Sequence, residues 1–288
     1  MIEFATAFNQ RAREPGASNR SHVGEKHKHK ILKIMLSKAK TLEGYKLDCR
    51  DGELGKVNEF YFDDQHWTIR YLVANTGNWL TGRLVLISPY ALVAIFKKEK
   101  SIAVDLTKNQ IENSPSLDSD KPVSRQYEES YYGYYDIPAY WVGPHRWGYY
   151  SYLERDRGQG KTSTLAREAR DPHLRSTHAV RGYYVHANNG EIGHIEDFVI
   201  DDETWAIRYV IINTSNWWSG KQILVSPHWI KHIDWDDSTV FIDLSRDTIK
   251  QSPAYTGESL LTRNYEIGLH DHYNRKGYWV DEPAAKGR

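Results

Sequence analysis

Short runs of β-branched and aromatic residues, separated by turn residues, recur along most of the chain. Val57–Phe62, Thr68–Asn75, Arg83–Ser88, Leu92–Phe96 and Ser101–Val104 are such runs, and a second set follows after residue 182. Runs this short, bounded by Gly, Asn, Asp and Pro, predict strands of a small antiparallel barrel. Asp51-Gly52 and Asn189-Gly190 favour hairpin turns with positive φ, and Gly55 and Gly193 follow where a strand begins. Between Ile195 and Ile200 the large apolar residues Ile195 and Phe198 lie three apart, which breaks period two and predicts a bulge. Ser88-Pro89 and Ser226-Pro227 should each end a strand, because proline cannot donate to the ladder. Helical turns are expected at Thr107–Asn113 and Ser245–Gln251, stopped by Ser-Pro, and second short helices at Ser124–Tyr135 and Thr262–Tyr273. Each half then closes on a Tyr-Trp pair, Tyr140-Trp141 and Tyr278-Trp279, expected to be exposed.

The two halves align with each other. From Gly44 onward and from Gly182 onward the sequence runs in parallel without a gap, an offset of 138, through the Ser-Pro pairs and on to Tyr140-Trp141 and Tyr278-Trp279. Roughly a third of the aligned barrel positions are identical, and a period this long indicates duplicated domains, since solenoid and propeller repeats run at about 20 to 50 residues. The organisation expected is a leader at 1–35, a first module with its helical and aromatic tail at 36–150, a linker at 151–176, and a second module with its tail at 177–288. Leader and linker are too polar to bury much. The first module begins just after Met35, so translation starting there is a further expectation, as is a solvated basic tail for His27-Lys28-His29-Lys30.

In the first copy Gly44, Asp51-Gly52, Gly55, Val57, Trp67, Ile69-Arg70-Tyr71, Asn78-Trp79, Gly82-Arg83 and Val85–Pro89 stand in a pattern. The second copy repeats it at Gly182, Gly190, Gly193, Trp205, Ile207-Arg208-Tyr209, Asn216-Trp217, Gly220-Lys221 and Ile223–Pro227. These residues resemble the PRC-barrel family, the β-barrel found in the photosynthetic reaction-centre H subunit and in the ribosome maturation factor. The two copies together cover about two thirds of the chain. The resemblance implies a mainly β fold of two tandem small antiparallel barrels, each followed by short helices. It also implies an adaptor that meets different partners in different proteins, and fold alone does not assign the task.

Composition narrows the classes. Lys plus Arg and Asp plus Glu both total 38, so the formal net charge is zero, which argues against a chain built mainly to neutralise phosphates. Ten Trp and 20 Tyr stand against 7 Phe, and the mean hydropathy is −0.69. Large amphipathic rings suit half-buried sheet surfaces and wet-edged interfaces. The lone Cys49 cannot form an internal disulfide and suits a reducing cytoplasm. No apolar stretch approaches the roughly 20 residues of a membrane span, and residues 1–16 lack a signal-peptide core, so no membrane insertion is expected.

A search for chemistry returns little. His270-Asp271-His272 is the densest histidine cluster, but residues two apart do not share a face of a helix, and the first copy has Tyr132-Gly133-Tyr134 there. Asp234, Asp236 and Asp237 lack the glycine and distal glutamate of a calcium loop and read as a solvated turn. Gly158–Thr162 ends like a phosphate loop without its preceding strand or first glycine. Cys49 has Ala187 as its counterpart and reads as filler. Arg70 and Arg208 lie in apolar strands and should pair with an acidic residue or lie at a barrel rim, since an unpaired buried guanidinium costs several kcal/mol.

Trp79, Arg83, Trp217, Trp218 and Lys221, near hairpin turns, form the candidate partner-binding surface, because Trp and Arg often carry interface energy. The competing reading, favoured by the small core of a barrel of about 75 residues, is that these tryptophans cap the barrel or pack copy on copy. The functional expectation is a non-enzymatic adaptor or scaffold for a protein partner, with no cofactor and no metal. Homodimerisation is compatible with it, and the two barrels should pack with approximate two-fold symmetry. The alternatives are a ribosome- or RNA-associated factor using leader and linker, and an enzyme or metal protein with its site between the copies near His270 or His272.

Overall fold

The computed structural model describes residues 36–80, 82–115, 123–137, 139–141, 173–214, 220–257 and 261–280, all within one compact unit, Ile34–Arg288. His27–Lys30, Met35, Gly158–Thr162, Trp217 and Trp218 lie outside the described residues. The first half holds β1 (Leu36–Lys38), α1 (Ala39–Leu42), β2 (Lys46–Cys49), β3 (Gly52–Asp63), β4 (Thr68–Asn75), β5 (Leu84–Ile87), β6 (Leu92–Phe96), β7 (Ser101–Val104), α2 (Lys108–Glu112) and α3 (Arg125–Tyr135). The second repeats them as β8 (Leu174–Ser176), α4 (Thr177–Val180), β9 (Tyr184–Ala187), β10 (Gly190–Asp201), β11 (Ile207–Asn213), β12 (Gln222–Val225), β13 (Ile230–Asp234), β14 (Thr239–Ile242), α5 (Arg246–Gln251) and α6 (Arg263–His272). The last three residues of the expected linker are thus strand β8.

Each half supplies six strands of a seven-stranded sheet, so the mainly β class holds. The hydrogen-bonded path β5-β4-β3-β2-β7-β6 does not close on itself, nor does β12-β11-β10-β9-β14-β13, and the β2–β7 and β9–β14 pairs are parallel. The expected pair of small antiparallel barrels is thus present as two mainly antiparallel sheets that stay open and contain one parallel pair each. β2 and β7 are separated by four other strands, a connection long enough to return the chain in the same direction.

The bulge expected between Ile195 and Phe198 is present, a register shift at Ile195/Asp197 mirrored at Val57/Glu59. Gly55 and Gly193 sit inside the long strands rather than at their starts. A Cβ on Gly55 would lie 2.1 Å from the Asn75 carbonyl oxygen, and one on Gly193 2.0 Å from that of Asn213. Both have positive φ, so no other residue fits.

The seventh strand of each sheet comes from the other half. β1 pairs with β10 (Leu36↔Asp201), and β8 pairs with β3 in the same register (Leu174↔Asp63). At the centre Ile69 N–H donates to the Trp205 carbonyl at 2.8 Å and Ile207 N–H to the Trp67 carbonyl at 2.7 Å. These contacts interchange under the 138-residue offset, so the halves are related by the approximate two-fold that was expected. Trp67 and Trp205 adopt left-handed φ values of 52° and 60°, unusual for bulky residues, at the point where their carbonyls turn to the other half. Phe62 and Phe198 touch across the junction, centroids 5.6 Å apart, inside one continuous apolar core drawn from both sheets.

Glu43 and Arg181, which occupy equivalent positions, hydrogen-bond each other across this axis, and Arg181 also reaches Asp197 at 3.2 Å. In a homodimer of either copy the same position would face itself as two like charges. The pairing therefore favours joining the two halves of one chain.

Candidate functional site

The described residues of the sequence-predicted surface, Trp79, Arg83 and Lys221, are engaged by their own chain. The Trp79 indole N–H donates to the Leu54 carbonyl, and the ring is half-buried against the core with Lys108 Nζ 5.5 Å from its centroid. Arg83 donates to the carbonyls of Glu112 at 3.0 Å and Ser114 at 2.7 Å, closing the C-terminal end of α2. Lys221 does the same for Lys250 and Ser252 after α5.

The tails dock through buried polar groups. Arg70 bonds Asp63 at 2.9 Å and lies 4.2 Å from the Tyr140 ring, while Arg208 bonds Asp201 at 2.7 Å and lies 4.0 Å from the Tyr278 ring. Both arginines thus have the acidic partner expected of them. Tyr140 and Tyr278 are only 4% and 9% exposed, which corrects the expectation of an exposed Tyr-Trp pair. Burial of the guanidiniums requires an aromatic cover as well as a carboxylate. From α3, Glu128 accepts from Tyr71 Oη at 2.9 Å and pairs with Arg125, which stacks on Trp141. The second copy repeats this with Glu266, Tyr209, Arg263 and Trp279.

Burial pushes the Glu128 carboxyl up to about 7 against the pull of Arg125 and Tyr71. Glu266 is raised for the same reason. Burial would also raise Asp63, but the His66 hydrogen bond and the Arg70 guanidinium together hold it well below the usual carboxylate range.

His270 is the counterpart of Tyr132. It is buried against Trp229 and Trp279, with Nε2 3.1 Å from Tyr209 Oη and Nδ1 2.9 Å from the Lys276 carbonyl; His272 Nε2 meets the Thr248 carbonyl. Asp234 accepts from the Asp236 and Asp237 N–H groups, a turn geometry. Burial and the nearby Asp51 push the Cys49 thiol up to about 11. Among the described residues no group of three or more His, Cys, Asp or Glu is placed to hold a metal ion, and no helix is long and apolar enough to cross a membrane.

What remains open on the first copy is the edge of its sheet. β6 ends the hydrogen-bonded path, and among the described residues it pairs only with β7. Tyr90, Val93 and Phe96 are 63%, 66% and 47% exposed there. The same positions of the second copy are His228, Lys231 and Asp234.

A basic row starts at the turn that ends this edge and runs inward across the sheet to β2 and β3. Lys46 and Lys56 are cross-strand neighbours, Lys46 N–H donates to the Lys100 carbonyl, and Lys97-Lys98-Glu99-Lys100 form the turn from β6 to β7. Those six positions carry five lysines and one glutamate, where the second copy has Tyr184, His194, Trp235, Asp236, Asp237 and Ser238. Lys97 is tied to Asp202 at 3.3 Å and Lys46 to Glu53 at 3.3 Å, while Lys56, Lys98 and Lys100 are exposed. The sequence reading missed this site because it looked for what the copies share. The signal lay in aligning the copies and marking where charge and apolarity differ.

Comparison with known proteins agrees with the fold of the second half. Residues 174–249 match the PRC-barrel domain, from the exchanged strand β8 into α5. A stretch of 72 residues is 32% identical to an uncharacterized protein of Deinococcus radiodurans, covering 25% of this chain and 25% of that one. The match therefore spans about a quarter of the relative's length.

Proposed function

We propose that this chain, whose residues 174–249 are a PRC-barrel domain, is a non-enzymatic adaptor of bacterial, cytoplasmic type that holds a protein partner at the edge of its first sheet. One observation carries the reading: Val93 and Phe96 on the edge strand, with Tyr90 in the turn before it, expose apolar surface in one copy, where the equivalent residues of the other are polar. Contiguous apolar surface beside charged residues marks interaction sites, and edge strands are otherwise guarded. Engagement of the buried charged groups by tail docking is consistent with a scaffold.

The test is affinity capture from the native host at low and high salt, with the wild-type chain and with Val93→Lys. A protein retained at high salt by the wild type and lost with the variant supports the adaptor. Capture unchanged by Val93→Lys rejects this edge as the site, and RNA retained at low salt and lost at high salt would replace the adaptor with a ribosome-associated factor.

A further inference from the structure

We infer that the β6 edge takes up an extended apolar strand of a partner protein whose flanking residues are carboxylates. The inference rests on the adaptor reading and specifies its partner. It stands on two independent features of the first copy, an unguarded strand edge and the exposed lysines, Lys98 and Lys100, of the turn that ends it.

The edge comes first. With β7 on one side and no strand on the other among the described residues, β6 presents outward N–H and C=O groups that an added strand can satisfy. Leu92-Val93-Ala94-Ile95-Phe96 contains no charged residue, whereas β13, at the same place in the second sheet, carries Lys231, His232 and Asp234. Charged side chains on an edge prevent strand addition. A register shift between Leu92 and Ala94 interrupts the ladder in one copy, and one between Ile230 and His232 does so in the other, so the bulge does not distinguish them. Ala94–Phe96 is the regular stretch left for pairing.

The charge names the partner's chemistry. The excess of lysine at the β6–β7 end, against two aspartates and no lysine in the second copy, selects a ligand with carboxylates beyond its apolar residues. A second copy of this chain is a poorer occupant. Antiparallel self-pairing of β6 sets each lysine turn beside the Pro89-Tyr90-Ala91 turn of the other, which supplies no carboxylate. Phosphates would match the lysines but leave Val93 and the strand backbone unsatisfied.

The experiment measures fluorescence anisotropy of two labelled synthetic peptides with the full chain. Both alternate valine and threonine; one ends in aspartates and the other in lysines. The aspartate-ended probe should bind about tenfold more tightly or better, consistent with charge complementarity setting specificity. Val93→Lys should abolish binding with an unchanged melting temperature. Lys98→Glu combined with Lys100→Glu should invert the preference, and backbone N-methylation of the probe should eliminate binding.

Equal binding of both probes, binding insensitive to N-methylation, self-association of the chain that Val93→Lys removes, or displacement of the peptide by a uridine oligonucleotide would each overturn the inference. If Val93→Lys loses the native partner while the probes show no charge preference, the adaptor reading survives and this inference fails. If the native partner is retained by Val93→Lys, the adaptor reading itself fails at this edge.

Discussion

At position 93 the first copy shows valine to solvent, and at position 231 the second shows lysine, although the strands around them occupy the same place in two matching sheets. The contrast runs through the exposed ends of the sheets and reaches the interior at the buried Tyr132/His270 position. Glycines at the close approaches, arginine–aspartate pairs and tail-docking glutamates recur at the same offset in both copies, because fold and tail packing require them. The β6 edge, the lysine row and the Tyr132/His270 position differ, because packing does not dictate them equally. Duplication separates what the structure demands from what each copy has been left to vary.

The strongest way to break this comparison is at the shared positions. Gly55→Val and Gly193→Val should each destabilise by on the order of 3 kcal/mol, since each Cβ meets a carbonyl oxygen at 2.1 or 2.0 Å in a positive-φ backbone. Equal losses in thermal or denaturant unfolding are expected, and tolerance of either would contradict the equivalence of the copies. Arg70→Leu and Arg208→Leu should cost about 3 kcal/mol each by leaving Asp63 or Asp201 buried and uncompensated. Near-ultraviolet circular dichroism should report the loss of ordered Tyr140 and Tyr278.

The pH response sharpens the difference between the tails. Glu128 faces Arg125 and Tyr132 on its own helix, Tyr71 and Arg70 on β4, and Tyr140 in the tail. Because burial raises its folded value from 4.5 to about 7, docking of the first tail is fully present below 4.5 and weakens as pH rises through about 7. Glu266 adds the same slope to the second tail. His270 works in the opposite sense: burial lowers it from 6.5, so its contribution is fully present above 6.5 and is lost as pH falls from there toward its folded value. Hydrogen exchange of α3 and α6 across pH should therefore show protection of α3 decreasing with rising pH. Glu128→Gln should flatten that trend, and His270→Tyr should remove the acid-side loss in α6.

Smaller effects are expected at the axis and the caps. Arg181→Glu places a carboxylate against Glu43 and Asp197 and should cost about 2 kcal/mol in chemical denaturation. Ser124→Ala and Thr262→Ala remove hydroxyls that accept from the Tyr127 and Tyr265 N–H groups at 3.2 and 3.3 Å, and each should cost about 1 kcal/mol.

Much of the fold was legible because local rules governed it. The strand runs from Val57 to Val104 and the bulge near Ile195 were read from turn residues and period, and the helices that begin after Thr107 and Ser245 from the Ser-Pro pairs that stop them. The exchanged strands were not, since a three-residue strand such as Leu36–Lys38 or Leu174–Ser176 has no periodicity to read and its partner lies in the other half. Tyr140 and Tyr278 were misjudged because their burial depends on covering Arg70 and Arg208, a tertiary requirement. The β6 edge escaped notice because an apolar strand reads alike at the centre of a sheet and at its open end.

Hydrogen–deuterium exchange of the full chain, with and without the aspartate-ended peptide, tests the divergence of the two edges most directly. The account predicts new protection of amides in Leu92–Phe96 and none in Ile230–Asp234. Protection of both strands, or of Ile230–Asp234 alone, would contradict it.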